Sequence, residues 1–316
     1  MVAADHEWRV GSHFPTMLRS GRRSHARPVS VTALPDHGTV EGLRSAAVQA
    51  AARARLTVRE IGTPDECEAA CRLVREVWSA TQAHAPMEPS LLRALAYAGS
   101  YVVGGFDDTG VLVGVCVGLF GHDVAHGMHS HLAAVAPQAQ DRGVGAALKL
   151  HQRAWAGARG VPTISWTFDP LVGRNAAFNL HRLGAGIVGY LPDFYGAMLD
   201  GLNAGHGSDR MLVRWDVLGG APPPTPPPRL PSGPRVAVLA RGSDGQPVRA
   251  AAGITATTAS AVMVAVPLDV AALRRRDPRL ARAWRREVRA AVLPRVLDGW
   301  QVGGFDAAAG YLVVAP

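Results

Sequence analysis

Cysteine, aromatic residues and long apolar runs are all scarce in this chain, and each shortage closes off a class of protein. Three cysteines in 316 residues make no disulfide framework. Cys67 and Cys71 stand four apart on a predicted helix with no histidine beside them, so they read as small buried hydrophobes and no metal is expected. No stretch of about 18 uncharged apolar residues occurs, and the opening MVAADHEWRV lacks the charged-then-apolar layout of a secretion signal. A cytoplasmic protein with no membrane partner is expected. Aromatics make up 6% of the residues and are not interleaved among the arginines, which argues against base stacking and against a nucleic-acid partner.

What the chain has in quantity is apolar content, 48%, enough to bury the core of one large domain or two small ones. Its formal net charge is +8, from 33 basic and 25 acidic residues, nearly all the basic ones arginine. Such a balance steers anions, including an acidic cofactor.

The stretch that organises the rest is Met128 to Lys149, MHSHLAAVAPQAQDRGVGAALK. It reads as an apolar strand, a tight loop in which Gly143 and Gly145 flank Val144, and a helix start near Ala146. Backbone N–H groups can converge there on a phosphate, with the positive end of the helix dipole behind them. A Walker loop would need Gly-Lys-Ser/Thr after the glycines, and a dinucleotide fingerprint a further glycine and a later acid. Ala146, Ala147 and Leu148 stand there instead. An ordinary strand-to-helix turn is the plainer reading of the loop alone.

Val135-Ala136-Pro137, then Gln140-Asp141-Arg142-Gly143-Val144-Gly145-Ala146, resembles the acyl-CoA motif of the GNAT acyltransferase superfamily. The runs WTFDPL, RNAAFNLHRLGA and DFYG further on strengthen the likeness, which covers residues 56 to 217 firmly and the rest loosely. The resemblance implies an α/β fold with a mixed sheet, in which two central parallel strands splay apart and the pantetheine arm of acetyl-CoA, or another acyl-CoA, lies between them. It would set backbone groups of Ala133, Ala134 and Val135 against that arm, and Gln140, Arg142, Gly143, Val144, Gly145 and Ala146 around the pyrophosphate. Asn175 is the early asparagine offered as a further cofactor contact, although aligning Leu183-Gly184 puts Gly173 at the usual asparagine position. The same alignment puts Leu180 where the family's tyrosine protonates the departing thiolate. Leucine cannot donate a proton, so the thiolate either leaves unassisted or takes a proton from another hydroxyl, with Tyr190 and Tyr195 as candidates.

In chain order, residues 1 to 40 carry scattered arginines and prolines without apolar period and read as a poorly ordered basic extension. Residues 41–217 are expected to form the acyl-CoA domain. It would open with the alanine-rich helix Val40 to Arg55 and a strand from Leu56 to Ile61, followed by a helix capped by Thr63-Pro64-Asp65-Glu66. A helix near Pro89 to Tyr97 leads into the strands YVVGGF and VLVGVCVGLF. Thr163 to Phe168 should run parallel to the strand before the glycine loop. MLDGLNAG reads as a short helix and Met211 to Val217 as a strand. Residues 218–234 form a proline-rich linker.

Residues 235–316 should give the strands VAVLAR and AVMVAVPL, one long helix from Val270 to Val296, and a closing hairpin. SYVVGGFDDTGVLVGV and GWQVGGFDAAAGYLVV share VGGFD, which points to a C-terminal half-repeat lacking the glycine loop. Trp284 and Trp300 should lie against the sheet, and the helix arginines should form a solvated face.

An amine acceptor arriving as ammonium must lose a proton before it attacks. His131, which shares a strand face with His129, and Asp169, at the carboxyl edge of the next strand, are the two candidate bases. Each also has a structural reading, as a hydrogen-bonded strand histidine and an Asp-Pro turn. Asp209-Arg210 reads either as acceptor-pocket lining or as an ion pair. The expected activity is acyl transfer from acyl-CoA to the amine of a small molecule, peptide or protein in a ternary complex, with His131, Asp169 and Tyr195 as catalytic candidates. A degenerate domain that binds acyl-CoA or a partner without turnover is the alternative.

Overall fold

The computed structural model describes residues 37–120, 127–198, 205–218, 235–250 and 259–316. In order these form α1 (His37–Ala54), β1 (Thr57–Glu60), α2 (Pro64–Trp78), α3 (Pro89–Tyr97), β2 (Tyr101–Phe106), β3 (Leu112–Phe120) and β4 (Met128–Val135). Next come α4 (Val144–Gly157), β5 (Thr163–Phe168), α5 (Gly173–Ala177), β6 (Gly186–Leu191) and β7 (Arg210–Asp216). The chain then gives β8 (Arg235–Arg241), β9 (Pro247–Arg249), β10 (Ala261–Val264), α6 (Val270–Arg276), α7 (Pro278–Leu297), β11 (Gln301–Asp306) and β12 (Gly310–Val314). The strands lie in one mixed sheet of order β1-β2-β3-β4-β5-β7-β6-β11-β12-β10-β8-β9. Among them β4 runs parallel to β5 and β8 parallel to β10, and the other described pairs are antiparallel. This is the α/β mixed-sheet architecture that the motif order implies.

Local sequence explains the helix starts. Thr63 and Glu66 close a capping box on α2, with Pro64 in the first helical position. Glu66 accepts from the Gly62 and Thr63 amides at 3.0 Å each and pairs with Arg59, and its pKa falls to about 2, led by the Gly62 bond. α1 begins at His37, upstream of the expected Val40, and lays Ala50 and Ala54 against Ala147 of α4. Small side chains there let the two helices come close.

The long helix expected from Val270 to Val296 is broken. Pro278 has no amide hydrogen and its ring clashes with a preceding helical turn, so Asp277 leaves helical geometry and caps α7 by accepting from Leu280 N at 2.9 Å. The MLDGLNAG helix falls almost wholly outside the described residues, as do residues 1–36 of the basic extension and residues 219–234 of the linker.

The C-terminal strands continue the same sheet. β11 meets β6 through Val302↔Ile187, and one hydrophobic core runs from Leu43 to Val313 through both halves. Trp284 is buried in that core and Trp300 packs at its margin. The two VGGFD runs are the first strands of antiparallel hairpins, and Asp107 and Asp306 each accept amide hydrogens in the turn that follows. The hairpins differ in their neighbours: β2 has β1 on its outer edge, whereas β11 has β6.

Candidate active site

The central parallel pair holds together at only two positions, Met128↔Ile164 and His129↔Ser165. Beyond them β4 stays paired with β3 as far as Gly114↔Val135, and β5 with β7 as far as Phe168↔Met211, but the two strands part from each other. The facing backbone edges of Ala133 to Val135 and of Trp166 to Phe168 are left to bond something other than a strand. A β-bulge lies at the fork. Register passes from Val117↔Leu132 directly to Gly118↔Ser130, which leaves His131 as the extra residue and bends the strand. It also shifts the alternation of side chains, so that Ser130 before the bulge and Val135 after it both face α4, touching Lys149 and the Gly145 position respectively.

At the open end of the fork the chain turns into α4. Asp141 (φ 61°) and Gly143 (φ 85°) are both left-handed and reverse the backbone within three residues. The first bond of the helix ladder runs from Ala147 N to Gly143 O (3.0 Å), so the amides of Val144, Gly145 and Ala146 precede it. A Cβ at Gly145 would sit 3.7 Å from Phe178 and 3.9 Å from Val135, ordinary contacts that packing alone tolerates. The missing side chain leaves room for a methyl group between these two residues. Beside the helix start is a cleft of about 240 Å³ walled by Gly143, Ala146 and three arginines, Arg53, Arg142 and Arg182, against the single carboxylate of Asp141. Three guanidiniums beside a helix N-terminus suit an anionic group.

Gln140 turns its amide toward α5, where its Oε1 accepts from Arg174 at 3.1 Å. Asn175 is half-buried on α5, two residues past Gly173, whose Cα faces the Phe305 ring of β11. Arg53 and Arg182 were not singled out from sequence. The only signals for them were a basic residue in the last turn of α1 and another inside the RNAAFNLHRLGA run.

Trp166 faces α4, so alternation turns Ser165 and Thr167 to the opposite face, and these are half-buried together with His129 and His131. The two imidazoles lie 6.3 Å apart, and burial lowers the pKa of both, which keeps them neutral with a free lone pair near pH 7. Tyr195 joins this face, its hydroxyl 3.3 Å from Thr167 Oγ1 and its ring 5.1 Å from the Arg210 guanidinium.

Asp169 does not suit the base role expected of it. Its Oδ2 accepts from Arg274 and, at 2.7 Å, from Arg285, while its Oδ1 accepts from Leu171 N at 2.9 Å. Burial alone would raise its pKa, but Arg285 and Arg274 outweigh burial and hold the carboxyl below its usual range. A carboxylate so occupied is a structural anion. Asp209 likewise pairs with Arg289, whereas the adjacent Arg210 donates to the Asp209 backbone oxygen. Tyr190 donates to Asp209 at 2.6 Å, and burial and that carboxylate push its pKa up, so its proton is committed. Leu180 is buried in a π-helical turn over Phe178–Arg182. Among the described residues no cluster of three or more His, Cys, Asp or Glu is placed to hold a metal ion, and no helix is long and apolar enough to cross a membrane. Cys67, Cys71 and Cys116 are free and buried.

Residues 38–175 match the family model of an acetyltransferase (GNAT) domain. No curated protein matches the chain. Among solved structures it is similar to the ribosomal-protein-S18-alanine N-acetyltransferase of Escherichia coli, at 16% identity over 51% of this chain and 94% of that one, with a TM-score of 0.41. A phosphinothricin acetyltransferase of the GNAT superfamily from Sinorhizobium meliloti, in complex with AcCoA, shows 21% identity over 54% and 94% with a TM-score of 0.42. An aminoglycoside 6'-acetyltransferase type Ii shows 18% over 53% and 99%, also at 0.42. The fork, the bulge and the glycine loop all fall within residues 38–175, the segment that matches the acetyltransferase (GNAT) domain model.

Proposed function

We propose that this protein transfers an acetyl or longer acyl group from acyl-CoA to an amine, by direct attack within a ternary complex. The observation that carries the reading is the parting of β4 from β5 immediately upstream of a helix start ringed by Arg53, Arg142 and Arg182. In this reading the amides of Val144, Gly145 and Ala146 hold the pyrophosphate with Arg142, and the free edge of Ala133 to Val135 pairs with the pantetheine arm. A backbone N–H at the fork facing the thioester oxygen supplies about 3 kcal/mol of barrier reduction. His131 takes the ammonium proton of the acceptor, directly or through one water, on the face opposite α4. Thr167 and Tyr195 line that face and orient the acceptor, the amine of a small molecule, a peptide or a protein.

Calorimetry with acetyl-CoA tests the reading. Wild-type protein should bind, and Gly145→Val, whose branched side chain outgrows the methyl-sized space between Val135 and Phe178 and crowds the start of α4, should not. Equal affinity in the two would sink the assignment. The buried Leu180, in place of a proton donor, is the one observation favouring a second reading, a domain that binds acyl-CoA without turnover. Acetyl-CoA binding with no acetylated product across a broad panel of amines, peptides and proteins supports that second reading over the first.

A further inference from the structure

Lys149 is the only lysine of the chain, whose other basic side chains apart from histidine are all arginine. It is 4% exposed. Its Nζ donates to Ser130 Oγ at 2.7 Å and to Gln152 Oε1 at 3.2 Å, and stands 3.8 Å from the centroid of the Trp166 ring. Ser130 and Trp166 are the residues that directly follow the last β4–β5 pair, His129↔Ser165. The ammonium therefore lies across the narrow end of the fork, on the α4 side, touching both strands where they part.

No carboxylate among the described residues lies within ion-pair distance of it. The titratable groups that face it are the Cys116 thiol of β3 and the His129 imidazole of β4. A buried ammonium with no counter-ion is expensive, and an unbranched apolar side chain would fill the same space without that expense. Arginine, which supplies all the other Lys/Arg positions of the chain, cannot release a proton near neutral pH, whereas lysine can. Three features thus coincide: a lone lysine, an uncompensated charge and a position at the fork.

We propose that Lys149 receives and protonates the CoA thiolate as the thioester breaks, in place of the hydroxyl that Leu180 lacks. This rests on the acyl-CoA reading above. The amine nitrogen forms the C–N bond, the C–S bond breaks with its electron pair going to sulfur, and the sulfur takes a proton from the Lys149 ammonium, directly or by way of the Ser130 hydroxyl. Two protons leave the acceptor nitrogen, one from the ammonium before attack and one after the C–N bond forms, each passing through His131 to solvent, and Lys149 regains one from solvent. Amide, thiol and the starting protein result. Burial supports this by lowering the lysine to about 8, close to a thiol at about 8.5, where proton transfer between the two is nearly level.

The test uses CoA itself and needs no acceptor. Calorimetry first establishes that CoA binds wild type and Lys149→Met, with affinities expected within about threefold of each other. Ultraviolet absorbance of the thiolate then follows ionisation of the bound thiol across pH. In wild type the bound thiol should be about tenfold more acidic than free CoA, and in Lys149→Met no more acidic than free CoA. Lys149→Gln provides the same titration should the Met variant fail to fold. An unchanged thiol titration in either folded variant overturns the proposal while leaving the acyl-CoA reading intact. Absence of CoA binding by wild type overturns both, and calorimetry reveals it before any titration.

Discussion

Arg285 of α7 reaches Asp169 at the end of β5 across 2.7 Å, and neither side chain is more than 8% exposed. A strand of the fork is thereby tied to the segment after the proline-rich linker. Arg274 adds a second bond to the same carboxylate, Arg289 holds Asp209, and Phe305 lies under Gly173. Truncation at Gly219 would strip two buried carboxylates of their cations and uncover the core face of β6. The expected product is insoluble protein, or a soluble remnant without a cooperative thermal transition. Size-exclusion chromatography and a melt monitored by circular dichroism decide this, and a monodisperse truncated chain that still binds acetyl-CoA refutes it.

Asp169→Asn should unfold more readily without abolishing a base. The change takes from the buried Arg285 guanidinium the carboxylate it pairs with, and breaking such a pair costs about 3–5 kcal/mol. The pH dependence has a definite sign. A carboxyl whose folded pKa is depressed stabilises the protein above its unfolded pKa, near 3.9, and loses that contribution as pH falls through the folded value. Urea titrations at pH 7 and at pH 3 should therefore show the gap between wild type and Asp169→Asn narrowing at the lower pH. A constant gap would mean that the ion pair contributes nothing.

The glycine loop and the strands around it were legible because each depends on local chemistry, a strand pattern, two glycines and a helix start, whereas the splayed pair was expected only from the resemblance of the motif. The position of Pro278 also carried the α6–α7 break, which periodic arginines concealed. Long-range electrostatics were not legible. Asp169 finds Arg285 across more than a hundred residues, and nothing within WTFDPL distinguishes a buried ion-pair carboxylate from a free base at a strand end. Arg53 and Arg182 join Arg142 only once α1 packs on α4. The β-bulge at His131 left no mark in the alternation of MHSHLAAV, since it comes from the register with β3.

The two loop glycines should separate strain from space. Gly143 has φ 85°, so Gly143→Ala should lower stability by about 1–2 kcal/mol whether or not ligand is present. Gly145 lies in the first turn of α4 with room for a methyl group, so Gly145→Ala should melt at or above the wild-type temperature while binding acetyl-CoA more weakly. Paired melts and calorimetry check both, and a destabilised Gly145→Ala would place that glycine in the fold and not in ligand binding.

Lys149→Met should be more stable than wild type, the reverse of most core substitutions, because it removes a buried charge lacking a carboxylate. The folded pKa of about 8 lies below the ordinary value of 10.5, so the unfolded chain binds more protons between those limits. Wild-type stability should rise as pH climbs from 8 toward 10.5, and the advantage of Lys149→Met should shrink over the same window. Denaturation at pH 7, 9 and 10 measures it, and an advantage that does not change with pH would trace to packing and not to charge.

His131 as proton acceptor gives the sharpest kinetic signature. Burial places its pKa below 6.5, so the rate at subsaturating acceptor should rise with pH through an inflection in the acidic range and level off near neutrality. His131→Ala should erase that inflection and lower the plateau by about a hundredfold to ten-thousandfold, with acetyl-CoA affinity little changed. His129→Ala serves as the control, since that imidazole lies 6.3 Å away under the same burial but within the paired part of β4, ahead of the bulge. It should shift the inflection slightly and keep most of the rate. A loss of under about fivefold in His131→Ala would remove it from proton transfer. The free-amine fraction of the acceptor would then set the pH profile, and the fork would act by holding thioester and amine in line.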